Sequence, residues 1–155
     1  MKSDLVKAFI AALESDDPHR AGEYLSDDFT FQGPIPGPLN KAEFLDYFSA
    51  LKKGLPDFAF NLDTIREEEG ILFGVLHRTG THTGELALPG IVPILPTGMS
   101  VALPNEPIHF HFCGNQICEL EIDHASGGGL EGILEQLGAE MPQNWNWHQE
   151  PVPSI

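Results

Sequence analysis

"IHFHFCGNQICELEID", residues 108–123, reads as one β-hairpin in which two histidines alternate with phenylalanines and three acids alternate along the returning strand. With Gly114-Asn115 as a two-residue turn, Cys113 faces Gln116 and Phe112 faces Ile117. One face of that ladder holds Ile108, Phe110, Phe112, Glu119, Glu121 and Asp123. The other holds His109, His111, Cys118, Leu120 and Ile122. His109 and Asp123 then point apart. A one-residue slip reverses every side chain beyond it, so a single β-bulge between 119 and 123 would bring both to one cavity.

Strands also precede this hairpin. "FAFNLDTIR" (58–66) alternates Phe58, Phe60 and Leu62 with small or polar residues. "EEEG" (67–70) turns it into "ILFGVLHRTGTHTGEL" (71–86), with bends expected at Gly74 and Gly80. Helices come first in the chain. Leu5, Phe9, Ile10 and Leu13 are spaced three and four apart behind Ser3. Asp17-Pro18 caps and starts a second helix running through Tyr24 and Leu25.

A third helix begins at Asn40 with Glu43 completing a capping box, carries Phe44, Leu45, Phe48 and Leu51, and stops at Gly54. A short strand "FTF" (29–31) separates the second and third helices, and "LEGILEQLG" (130–138) supplies a last short one. The order predicts an α+β domain over 1–140, with helices covering one face of a curved, mostly antiparallel sheet and a tail over 141–155.

Residues 86–107 fit no element. They hold five prolines around Ile91, Val92, Ile94 and Leu95. A greasy loop of this length is either a lid over a ligand, a segment folded on its own core, or a dimer contact. Trp145 and Trp147 raise the same choice.

The chain of 155 residues is 41% apolar, enough for one core. Its net charge of −15, without any basic cluster, excludes nucleic acid and anionic membrane as partners. No segment approaches a membrane-spanning length and the first residues read as an amphipathic helix, so a soluble cytoplasmic protein is expected. Cys113 and Cys118 are diagonal neighbours in the regular hairpin, about 7–8 Å apart. Free thiols are expected there.

Several stretches together resemble one family, the SnoaL-like, polyketide-cyclase-like proteins of the NTF2-like superfamily. They are "LSDDFTF" (25–31), "GLPDFAF" (54–60), "GTHTGE" (80–85), "PTG" (96–98) and "QLG" (136–138), in order over about residues 4 to 138. The resemblance implies a cone, in which a curved sheet and three helices enclose an apolar cavity. It also implies cofactor-independent, metal-free chemistry on a small apolar or polyketide-like ligand. An aspartate removes a proton from an acidic carbon, a histidine on the neighbouring strand assists, and aldol condensation closes a ring.

Carried to this chain, the resemblance makes Asp123 the base and His109 its partner. Phe31, His111, Glu121 and His77 become ligand-facing residues, and a homodimer is the expected assembly. Related cones isomerise steroids, hydrolyse epoxides or only bind ligands and partners. A proton-abstracting carboxylate needs an apolar wall and a donor for the enolate oxygen. A solvated acidic stripe on an edge strand is the alternative for Glu119, Glu121 and Asp123, and with it a non-catalytic binding or dimerisation module. His109-x-His111 also places two imidazoles on one strand face, but the other ligands of a cupin-like metal site are missing, so no metal is expected.

Overall fold

The computed structural model describes residues 2–33, 37–123, 125–139 and Trp145. The tail is outside these residues except for Trp145, and so are Trp147, His124 and His148. Helices α1 (Lys2–Glu14) and α2 (Pro18–Glu23) lead into strand β1 (Leu25–Gln32) and the two-residue β2 (Leu39–Asn40). Asp17 caps α2 by accepting from the Arg20 amide at 3.1 Å. Helix α3 spans Lys41–Gly54. Both halves of its capping box form: Asn40 Oδ1 accepts from the Glu43 amide and Glu43 Oε1 accepts from the Asn40 amide, each at 2.9 Å. Gly54 serves a different purpose from the left-handed stop expected of it. A Cβ there would lie 2.9 Å from the Leu86 side chain, so glycine lets a later strand pack against the helix end.

β3 (Asp63–Glu68), β4 (Ile71–Leu76), β9 (Glu106–Cys113) and β10 (Gln116–Ile122) complete one six-stranded sheet in the order β2-β1-β10-β9-β4-β3. Among the described residues, only β1 and β10 pair in parallel. The helix α4 (Gly129–Gln136) closes the described part. This is the α+β cone that the sequence implied, with the "FTF" strand longer than expected and the 58–66 segment a continuous strand from Asp63, preceded by an isolated bridge between Ala59 and Thr79.

Between β4 and β9 lie β5 (Thr79–Thr81), β6 (Leu86–Leu88), β7 (Ile91–Ile94) and β8 (Ser100–Ala102), in two small sheets, β5 with β8 and β6 with β7. The proline-rich segment is therefore largely strand. Leu86, Leu88 and Ile91 are buried, and Trp145, buried too, donates its indole N–H to the Pro89 carbonyl. Val92, Leu95 and Met99 stay exposed.

Inside, β1, β4, β9 and β10 present Phe31, Leu72, Ile108, Phe110, Leu120 and Ile122 to the helices. Phe44 of α3 meets Phe29 and Phe31 at ring separations of 5.3 and 4.9 Å, and Phe48 stacks on Phe60 at 5.2 Å. Such contacts add about 0.5–1.5 kcal/mol per aromatic pair beyond area burial.

The hairpin departs from regular pairing at one place. Ile117 faces Phe112, but Glu119 faces His111, so Cys118 is an extra residue in β10. The bulge lies just before the 119–123 interval that the sequence pointed to. It also corrects the expectation of free thiols. Cys113 and Cys118 form a disulfide with Cα atoms 5.6 Å apart, within the reach that a regular diagonal pair lacks.

Candidate functional site

The shifted register aligns the odd-numbered residues of β9 and β10. His109 stands opposite Glu121, and His111 opposite Glu119. His109 Nε2 lies 3.6 Å from Asp123 Oδ2, and His111 Nε2 lies 3.0 Å from Glu121 Oε1. The pair that the sequence singled out is thus brought together. Its location is the correction: these side chains occupy the outer face of the sheet, away from the helices.

On that face the neighbours of Ile108, Phe110, Leu120 and Ile122 point outward because strand side chains alternate. Asp123 is 58% exposed and stands in water rather than against an apolar wall. His109 packs edge-on against Phe73 at 4.8 Å, and the Arg66 guanidinium lies over the Phe73 ring at 4.5 Å from its centroid.

His77, also expected at the ligand, sits at the sheet's end between β4 and β5. Its Nε2 is 3.0 Å from Asp63 Oδ2, and its Nδ1 is 2.5 Å from Asn105 Oδ1. The close contact with Asp63, then the hydrogen bond to Asn105, raises the His77 pKa. The same contact with His77, followed by that with Thr64, lowers the Asp63 carboxyl. His82 is fully buried, and its Nδ1 accepts from the Thr97 amide at 3.2 Å, pinning the turn before β8.

Of the residues expected at the ligand, Phe31 alone lines the interior hollow. The hollow lies between α1, α3 and the inner sheet face and has a volume of about 20 Å³, room for one water. Its wall is almost wholly aliphatic and phenylalanine. Tyr47 and Arg78 are the exceptions.

Arg78 Nη2 donates to Glu106 Oε1, forming an ion pair whose side chains are 5% and 0% exposed. Glu106 Oε2 accepts from the Ala125 amide at 3.0 Å. Arg78 Nε is buried without a hydrogen-bond partner among the described residues. Burial, with smaller opposing and reinforcing contributions from Arg78 and Glu106, pushes the Tyr47 phenol up to about 12, so it is a neutral donor.

Sequence reasoning missed this trio. Arg78 and Glu106 are 28 residues apart and carry no local signal. Tyr47 did carry one: it is three residues after Phe44 and four before Leu51, a hydroxyl on the apolar stripe of α3.

The SnoaL-like domain model matches residues 6–120. The chain belongs to the SnoaL-like family. Among solved structures, AclR of Streptomyces galilaeus, a candidate hydroxylase, is 21% identical over 91% of this chain and 84% of its own, with a TM-score of 0.68. IdmH of Streptomyces antibioticus, a candidate polyketide cyclase, is 18% identical over 88% and 98%, also with a TM-score of 0.68. A hypothetical protein of Catenulispora acidiphila with a ketosteroid isomerase-like fold, solved with trimethylamine, is 15% identical over 92% and 96%, at 0.62. At these identities the likeness is one of fold. No curated protein matches this SnoaL-like chain.

Proposed function

We propose that this SnoaL-like protein binds a small, mostly apolar carbonyl compound in its interior and enolises it without a cofactor, for aldol condensation or isomerisation. The observation that carries this reading is the buried, unpartnered Nε of Arg78 at the wall of a hollow that is otherwise hydrocarbon, with Tyr47 the other polar residue there. A buried donor left unpaired costs free energy that a ligand oxygen would recover.

In this reading the carbonyl oxygen accepts from Arg78 Nε and the Tyr47 hydroxyl. Both are fixed in a water-poor site where such donors act strongly on developing charge. Glu106, the one buried carboxylate among the described residues, takes the proton from the adjacent carbon. The hollow holds only about 20 Å³, so the ligand enters by displacing phenylalanine side chains. A homodimer through the exposed Val92, Leu95 and Met99 belongs to the same reading, and Leu95→Glu would leave only monomer in light scattering.

A second reading keeps proton transfer with Asp123 and His109 and the ligand against His111 and Glu121; the 3.6 Å approach of the pair supports it. Exchange of α-protons of small aryl ketones in heavy water, followed by NMR, separates the two. The interior reading expects Tyr47→Phe to slow exchange about 10²-fold while Asp123→Asn leaves it unchanged. The reverse pattern moves the chemistry to the outer face.

A further inference from the structure

The outer face of β9 and β10 also gathers three ligating groups, which the interior reading of the chemistry leaves without a role. His111 Nε2, Glu119 Oε1 and Glu121 Oε1 all lie within 4.8 Å of one another. His111 Nε2 is 3.0 Å from Glu121 Oε1 and 3.7 Å from Glu119 Oε1. That nitrogen atom is itself buried, yet it has no hydrogen-bond partner of acceptable geometry among the described residues. Two carboxylates therefore converge beside an imidazole nitrogen that donates properly to neither. A cation between them would engage the imidazole nitrogen and both carboxylates at once.

We propose that His111, Glu119 and Glu121 form a binding site for a divalent transition metal ion of the zinc class. Zinc binds imidazole nitrogen at about 2.0–2.1 Å and carboxylate oxygen at about 2.0–2.2 Å, so donors at two corners of its tetrahedron are about 3.3–3.5 Å apart. The separations of 3.0 and 3.7 Å bracket that edge, and small side-chain rotations reach it. One imidazole with two carboxylates leaves the fourth position to water, a donor set of intermediate softness that suits zinc better than calcium or magnesium.

The strands hold the donors in place. Glu119 and Glu121 project from alternate positions of β10, and His111 stands directly across from Glu119 because Cys118 is looped out before it. Gln32 of β1 donates its side-chain N–H to Glu119 Oε2 at 3.1 Å. That contact turns the other oxygen, Oε1, toward His111, the role that outer residues play around metal ligands. The net charge of −15 raises the concentration of cations near the surface.

Titration of chelator-stripped full-length protein with zinc chloride in a non-coordinating buffer, read by calorimetry, tests the site. One ion per chain is expected. His111→Ala and Glu121→Gln should each weaken binding at least tenfold, and Gln32→Leu about tenfold. His77→Gln, remote on the sheet's end, should leave it unchanged. Cobalt(II) in place of zinc should give visible absorption bands that vanish in His111→Ala. His111, Glu121 and Gln32 sit on the outer face and His77 at the sheet's end, and unchanged melting curves would show that the variants still fold. Absence of binding to the native chain, or binding that survives His111→Ala, overturns the assignment. So does loss of binding in His77→Gln. None of these outcomes bears on proton transfer in the interior.

Discussion

Arg78 and Glu106 hold each other inside the cone, a guanidinium and a carboxylate with almost no contact with water. Both charges have lost their hydration, so each depends on the other and on the Ala125 amide that caps Glu106 Oε2. Removing one partner leaves a buried charge alone, which costs about 3–5 kcal/mol. Glu106→Leu or Arg78→Met should therefore lower unfolding free energy by that amount in urea denaturation. The double variant Arg78→Met/Glu106→Leu should recover most of it, because neither charge is then buried. A double variant no more stable than the single ones would show that the pair does not act as a unit.

Tyr47 gives a pH signature of the same region. Its phenol ionises at about 12 in the folded protein against 10.0 for the free side chain, chiefly because burial disfavours the anion. The raised value means that the folded state keeps a proton that the unfolded state gives up. The contribution is present in full below pH 10 and is lost as pH rises toward 12. Ultraviolet titration should show one tyrosine ionising late, and stability should fall across that interval. Tyr47→Phe should flatten the fall.

The structure explains why some features were legible in the sequence and others were not. Local chemistry was readable: the Asn40–Glu43 capping box and the Gly114-Asn115 turn both rest on residues a few positions apart, and both form. The order of helices and strands followed from periodicities of the same short range. The faces of β9 and β10 were not readable, because one bulged residue reverses the parity of everything after it and nothing in "QICELE" marks Cys118 as that residue. The disulfide was missed for the same reason. The Arg78–Glu106 pair depends on β4 and β9 lying side by side, a relation between distant segments that no local pattern encodes.

His77 and Asp63 offer a check on the sheet's end. Their contact raises the histidine and lowers the carboxyl, Asp63 being the largest influence on His77. A histidine raised in the folded state stabilises fully below its unfolded value of about 6.5 and stops doing so as pH rises through the folded value. The lowered aspartate stabilises above about 3.9 and stops as pH falls through its folded value. The pair is thus strongest between those limits. NMR titration should find His77 above 6.5, and Asp63→Asn should bring it down. Both groups are solvated at the surface, so the melting temperature should hardly move.

The Cys113–Cys118 bridge closes the tip of the hairpin on which the outer-face cluster stands. It spans a sequence separation of five, so the chain-entropy model assigns it about 2 kcal/mol of stabilisation, near the low end for a disulfide. Reduction, or the double variant Cys113→Ser/Cys118→Ser, should lower the unfolding free energy by about that much without preventing folding. The β9–β10 ladder has its own contacts beyond the bulge, from Glu119–His111 to Ile122–Ile108. Amide exchange in the reduced protein should therefore quicken at the tip and stay slow from Leu120 onward. Fast exchange through Ile122 would mean that the bridge, rather than side-chain packing, fixes the register. The same measurement against a glutathione buffer of cytosolic poise would report how much of the bond survives there, since thiols in that compartment are kept reduced.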